Sequence, residues 1–217
     1  MPPLVTFLVA LGVLYSFRPV PVLSSYAITA AVLYPVAAWT SLVLLGSEDE
    51  TQRQVSAVHA GGLRRVYLAK LASVVLAVVV LTALALLVPE LLHEFTHQPT
   101  AAQLLVGTLA HLTSAVPAVL IGALFSNPIV RRQGYALGGV LLCLLLTIPA
   151  DDLRGVHQGL WRFVGHLLPP PLAIIRALGD TDSAGRAAAL LRPDVLGAAA
   201  FAVLAGAAYL RLARSRS

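Results

Sequence analysis

Residues 93–97 read His-Glu-Phe-Thr-His, an H-E-x-x-H pattern. On a helix, His93 and His97 stand at i and i+4, one above the other, where two imidazoles can hold Zn²⁺. Glu94 is then placed to act as general base on a metal-bound water, the chemistry of an integral-membrane zinc metalloprotease. The third ligand is open, with Asp151, Asp152, His157, His166 and Asp180 as candidates. Pro99 lies two residues after His97 and ends a helix that a zinc protease would continue. Cys143 is the single cysteine, which excludes an internal disulfide framework and a cysteine-rich zinc or iron–sulfur site. The serines and histidines are too scattered to argue a Ser–His pair.

A second set of groups sits on otherwise apolar stretches. Residues 22–45 carry Ser24, Ser25, Tyr26, Thr29, Tyr34, Thr40 and Ser41, and residues 102–125 carry Thr108, His111, Thr113 and Ser114. Polar side chains inside membrane helices mark ligand paths or helix–helix contacts. A translocation path would draw on Ser25, Thr29, Thr40, Ser41, His111 and Ser114. His111, the one group in a span that titrates near neutral pH, either faces a cavity and touches cargo or hydrogen-bonds a neighbouring helix. The spans hold no Asp or Glu, so the carboxylate relay of a proton-coupled antiporter is missing; such low polarity favours an amphiphilic or apolar cargo.

The elements that must position these groups follow from composition. Of 217 residues, 58% are hydrophobic and 12% charged, and the mean hydropathy is +0.84. Soluble domains run at about 45–50% apolar and 25% charged, so this chain has too few charges to coat a soluble globule and is too apolar for disorder. A multi-pass, all-α membrane protein is the class that remains, in one transmembrane domain over residues 1–217. The net charge of +5 fits the Lys/Arg bias of cytoplasmic loops. Aromatic–basic interleaving suited to stacked bases is absent, so nucleic acid is not an expected partner. Apolar stretches cover residues 3–17, 22–45, 66–88, 102–125, 134–149 and 195–212, giving six expected spans. The first lacks a basic leader and a small-residue cleavage site and reads as a span, not a signal peptide. The first and fifth fall short of the ~20 residues a helix needs to cross. Connectors 46–65 and 126–133 and the C-terminal tail are rich in Lys and Arg, which places them and both termini in the cytoplasm.

The outer connector, residues 150–194, has structure of its own. Leu153, Val156, Leu160, Phe163, Val164 and Leu167 fall within about 100° of a helical wheel, as in an interfacial amphipathic helix, with Trp161 at the boundary. Pro169-Pro170-Pro171 breaks the chain. An apolar piece, 172–178, then dips back, and Asp182 caps a further short helix closed by Pro193. An ordinary extracellular loop is the other reading.

The inner connector runs from an acidic start through an amphipathic middle to Gly61-Gly62, Arg64-Arg65 and the next span. Acids at its start and Arg64-Arg65 at its end suit a helix dipole, and such a surface helix can dock in a groove of a soluble partner. This connector, followed by a long Leu/Val/Ala span, resembles the membrane subunit of an ABC-2 type transporter. Glu48, Asp49 and Glu50 match the family's acidic segment, Gly61-Gly62 the small turn, Arg64-Arg65 the basic patch, and Lys70 the lysine opening the third span; Arg53 lies between. The stretch 165–180, GHLLPPPLAIIRALGD, is similar to the Pro-containing piece before the family's last span. The family's Glu-x-Gly-Thr is missing, and Ala60-Gly61 stands where its Pro usually lies.

The resemblance implies a permease without an engine of its own. The chain carries no G-x-x-x-x-G-K-[ST] phosphate loop, so ATP and Mg²⁺ belong to a partner ATPase docked on residues 48–70, and the chain itself holds no cofactor. It further implies a second permease copy, a bacterial cell membrane and lipids around six spans. Gly134 and Gly138 in the fifth span and Ala198, Ala202 and Gly206 in the sixth are small-residue stripes for close helix contact, between copies or within one. A scaffold protein is the third class; it would need neither polar stripe nor connector.

Overall fold

The computed structural model describes residues 2–16, 21–48, 50–126, 129–130, 132–147, 171–179, 181 and 183–215. Among the described residues all regular structure is α-helical: α1 (Pro2–Leu14), α2 (Val22–Leu45), α3 (Glu50–Ala60), α4 (Leu63–Leu91), α5 (Ala101–Leu124), α6 (Gln133–Thr147), α7 (Pro171–Gly179) and α8 (Ala184–Ser215). The expected amphipathic helix over 153–167 lies outside the described residues.

Four helices, α2, α4, α5 and α8, are long and apolar enough to cross a membrane. The expectation of six spans meets these four. Helices α1 and α6 have 13 and 15 residues, which at 1.5 Å per residue reach about 20–23 Å, short of a hydrocarbon core of about 30 Å.

Helix boundaries have local causes. Thr100 opens α5 with a capping box: its hydroxyl accepts the Gln103 N–H at 3.2 Å and its N–H donates to Gln103 Oε1 at 2.9 Å. Helix α4 continues through Pro89 to Leu91. Pro193 does not close a short helix as its type alone suggests. It sits inside α8, which is continuous from Ala184 to Ser215. Packing of this helix along α5, with Leu191 and Val106 in one apolar cluster and Gly206 facing Leu120, outweighs the single backbone bond the proline removes.

Helices α2 and α5 form the centre. They run parallel, with Thr29 meeting His111, Ser114 meeting Ala30 and Gly122 meeting Ala38. In their most apolar stretches 56% and 67% of residues are buried, against 28% in α4 and 17% in α8. The outer helices therefore turn large apolar side chains away from the protein: Leu76 and Val79 on α4, Leu142 and Leu145 on α6, Leu196 and Val203 on α8. A belt of this extent is the surface of a protein in lipid, since soluble chains rarely expose contiguous apolar patches so large.

One end of the assembly gathers several features. Pro3 and Leu4 of α1 share a cavity with Val43 and Leu44 at the end of α2. The ring of Tyr209 near the end of α8 stands edge-on to Tyr67 at the start of α4, centroids 6.5 Å apart. The start of α1, the end of α8 and α3 thus share one side of the helix layer. At the other end α7 lays Ile174, Ala177 and Leu178 against Val22, Leu23, Tyr26 and Ala27 of α2. The apolar piece expected at 172–178 is this helix.

Candidate functional site

The H-E-x-x-H residues do not share a helix face. Helix α4 ends at Leu91, and His93 takes φ 57° in the left-handed region. His93 N–H donates to Glu90 O at 3.1 Å and Glu94 N–H to Pro89 O at 3.0 Å. This pair of bonds is a Schellman stop with His93 in the place glycine usually fills. His97 lies beyond the helix, its Nδ1 donating to Gln98 O at 3.1 Å. The i, i+4 stacking that zinc ligation needs is therefore lost at the first histidine. Among the described residues no three His, Cys, Asp or Glu side chains gather to hold a metal ion. Of the third-ligand candidates, Asp151, Asp152, His157, His166 and Asp180 all lie outside the described residues.

The hydroxyls and the imidazole expected along a path lie on α2 and on the face of α5 that packs against it. Ser25, Thr29, Thr40, Ser41, His111 and Ser114 are all buried. Ser25 hydrogen-bonds the Tyr15 hydroxyl after α1. Ser41 donates to Val119 O and Ser114 to Ala30 O, both at 2.7 Å, tying α2 to α5 at two levels. Thr40 donates to Val36 O of its own helix at 2.8 Å and also lines a 360 Å³ cavity between α1, α2 and α4.

His111 is fully enclosed. Its Nδ1 lies 2.7 Å from Gly107 O and its Nε2 3.0 Å from Thr29 Oγ1. A carbonyl only accepts, so Nδ1 carries a proton; in the neutral ring Nε2 then accepts the Thr29 hydroxyl. Of the two roles open to His111 in the sequence, this geometry is the bridge between helices. Interhelical hydrogen bonds of this kind contribute about 0.6 kcal/mol on average and about 1.7 at most. A double-mutant cycle of Thr29→Val and His111→Leu is expected to give a coupling in that range. Additive effects in a detergent unfolding titration would show that the bond contributes nothing.

Two residues with no role in the sequence reading set this seam. Glycine at 107 leaves room for the Tyr26 ring, since a Cβ there would stand 2.9 Å from Tyr26 Cε2. Glycine at 122 lets α5 touch α2, since a Cβ would fall 2.8 Å from Ser41 Cβ and closer still to Ala38 O. The signal available was a glycine in mid-helix, which costs about 1 kcal/mol against alanine and so needs a packing reason. In α6 the small-residue positions Gly134 and Gly138 face open space, while Gly139 meets the Phe125 ring. In α8 a Cβ added at Gly206 would stand 4.0 Å from Leu120 Cδ2 of the same chain.

The inner connector is the third candidate, and it is built as one piece with α4. Helix α3 ends in a second Schellman motif: Gly62 N–H donates to Ala57 O at 2.8 Å and Gly61 N–H to Val58 O at 3.4 Å, with Gly61 at φ 72°. Arg65, one turn into α4, donates to Ala60 O at 3.1 Å and so caps α3 with a cation. On the other side of α3, Lys70 Nζ meets Glu48 Oε2 at 2.8 Å. Arg53 is half-buried, Arg64 is exposed, and Val55 and Val58 project outward, Val58 at 81% exposure. Asp49 lies outside the described residues, and Glu50 begins α3. The result is a short helix held at both ends against the base of α4, with an outward face of valines among polar side chains.

No protein-family model, curated protein or solved structure matches the chain.

Proposed function

We propose that the chain is the permease subunit of an ATP-driven ABC-2 type transporter in a bacterial cell membrane. Its cargo is amphiphilic or apolar, and it works with a second permease copy and a separate cytoplasmic ATPase. The observation that carries this reading is α3. A helix outside the membrane spans, with two exposed valines and fastened to α4 by the Gly61-Gly62 turn, Arg65 and the Glu48–Lys70 pair, suits a lever worked by a soluble partner. Such a partner would push α3, and α4 would follow because the two are joined. Helix α4 buries a smaller share of its residues than α2 or α5, so it is held less firmly than the central pair. The parallel α2–α5 pair, locked by three interhelical side-chain hydrogen bonds, supplies the body against which it moves. ATP and Mg²⁺ stay on the partner.

Co-purification from mild detergent tests this. An ATPase is expected to accompany the tagged wild-type chain and to be lost from Val58→Asp, which charges the exposed outer face of α3 without touching the spans.

A further inference from the structure

At the end of α4 away from α3, an open cleft of 440 Å³ lies between the last turn of the helix and the loop leading to α5. Glu90, His93, His97 and Gln98 give it a polar side, and Leu91 and Phe95 an apolar one. The loop is fixed at both ends, by the Schellman stop at His93 and by the capping box at Thr100. Its apolar wall is fixed as well. Phe95 stands edge-on to Tyr26, ring centroids 5.5 Å apart, and Tyr26 is fully buried in the room that Gly107 leaves. The wall is thereby tied to the α2–α5 core.

The polar side is a set of acceptors. Among the described residues no lysine or arginine lines the cleft, and the Glu90 carboxylate and the His93 ring have no hydrogen-bond or ion-pair partner. His97 Nδ1 donates its proton to Gln98 O at 3.1 Å, which leaves Nε2 of the neutral ring as an acceptor. The negative end of the α4 dipole lies at the same place. Glu90, His93 and His97 do not converge to hold a metal ion, so their complement is a ligand large enough to reach across them. His93 is also kept at a cost. Its φ of 57° strains any residue with a Cβ, and such strain gathers where a side chain is used for binding.

We propose that this cleft binds a primary amine with an apolar tail, its ammonium on Glu90 beside the two imidazoles and its tail against Leu91 and Phe95. An ammonium has three donors and no acceptor, which matches a wall of acceptors, and its single positive charge matches the single carboxylate. The cleft falls in the range of about 300–1,000 Å³ typical of small-molecule sites. The inference uses only the turn between α4 and α5 and is independent of the partner ATPase.

Isothermal titration calorimetry of the full chain in an uncharged detergent at neutral pH tests it, with phenethylamine as the probe and phenethyl alcohol as its uncharged counterpart. One amine per chain is expected to bind, about five-fold tighter than the alcohol, the upper end for an ion pair that water reaches. Glu90→Gln should remove that preference, while Glu94→Gln, whose side chain does not line the cleft, should keep it. His93→Gly should raise the thermal midpoint, since glycine takes positive φ without strain, and yet weaken amine binding about two-fold, the low end for one lost hydrogen bond. No saturable amine binding, equal affinity for amine and alcohol, a preference that survives Glu90→Gln or is lost equally in Glu94→Gln, or full amine affinity in His93→Gly would each overturn the proposal. Glu90 is exposed, so its variant reports on binding and not on folding.

Discussion

Replacing Gly122 by leucine is expected to separate the central helix pair and leave little folded protein. A side chain at this position starts 2.8 Å from Ser41 Cβ and meets the Ala38 carbonyl, which belongs to the α2 backbone and cannot rotate away. The two helices must part, and parting them stretches the neighbouring Ser41–Val119 and Ser114–Ala30 hydrogen bonds, both at 2.7 Å. Overpacking a tight contact costs about 1–3 kcal/mol and occasionally more. With the seam bonds strained as well, a loss of about 3 kcal/mol or more is predicted. Gly138→Ala is the control. Nothing lies within 4 Å of a Cβ there, so a change within about 0.5 kcal/mol is expected. Unfolding of both variants in mixed micelles measures the difference. Equal stabilities would show that α2 and α5 do not pack as described.

The second large effect is functional. On the permease function proposed above, Arg65→Glu is expected to lower transport by about ten-fold while membrane insertion stays normal. Arg65 donates to the Ala60 carbonyl at 3.1 Å, at the negative end of the α3 dipole. Removing a charged hydrogen bond costs about 1.5–3 kcal/mol where it is well formed, less where water reaches it, and a carboxylate placed against the same carbonyls adds repulsion. A net change near 1.4 kcal/mol is a factor of ten in the equilibrium constant for docked against released α3. Arg65→Lys keeps the charge and should retain most activity. Unchanged transport in Arg65→Glu would mean that the joint between α3 and α4 carries no force.

The long helices were legible because their apolar runs exceed what a soluble helix uses, and the α3–α4 junction because Gly61-Gly62 can take positive φ where other residues are strained. The motif at His93 misled for a related reason. Its spacing supposes a continuing helix, yet the chain stops there with a histidine in the left-handed position, and spacing cannot report a backbone reversal. Pro193 misled in the opposite sense: a proline reads as a stop, but tertiary packing on α5 carried α8 through it. The hydroxyls of α2 and α5 were legible as a set, while their hydrogen-bond partners were not. A path and a helix seam both appear as polar groups on apolar helices, and only the partner atom separates them, as Ser114 to Ala30 and Thr29 to His111 do. Gly138 and Gly139 differ by one residue, or about 100° on the helix, so the sequence named a stripe but not the face that packs.

The central claim, that this chain is a permease worked through α3 by a separate ATPase, is tested most directly by quantifying what co-purifies with wild-type and Val58→Asp chains at equal expression. The account predicts one ATPase per permease in the first sample and a loss of about ten-fold or more in the second, since a buried unpaired charge at a docking face costs several kcal/mol. A wild-type chain that purifies with no ATPase, or one whose ATPase content is the same with aspartate on the outer face of α3, would contradict it.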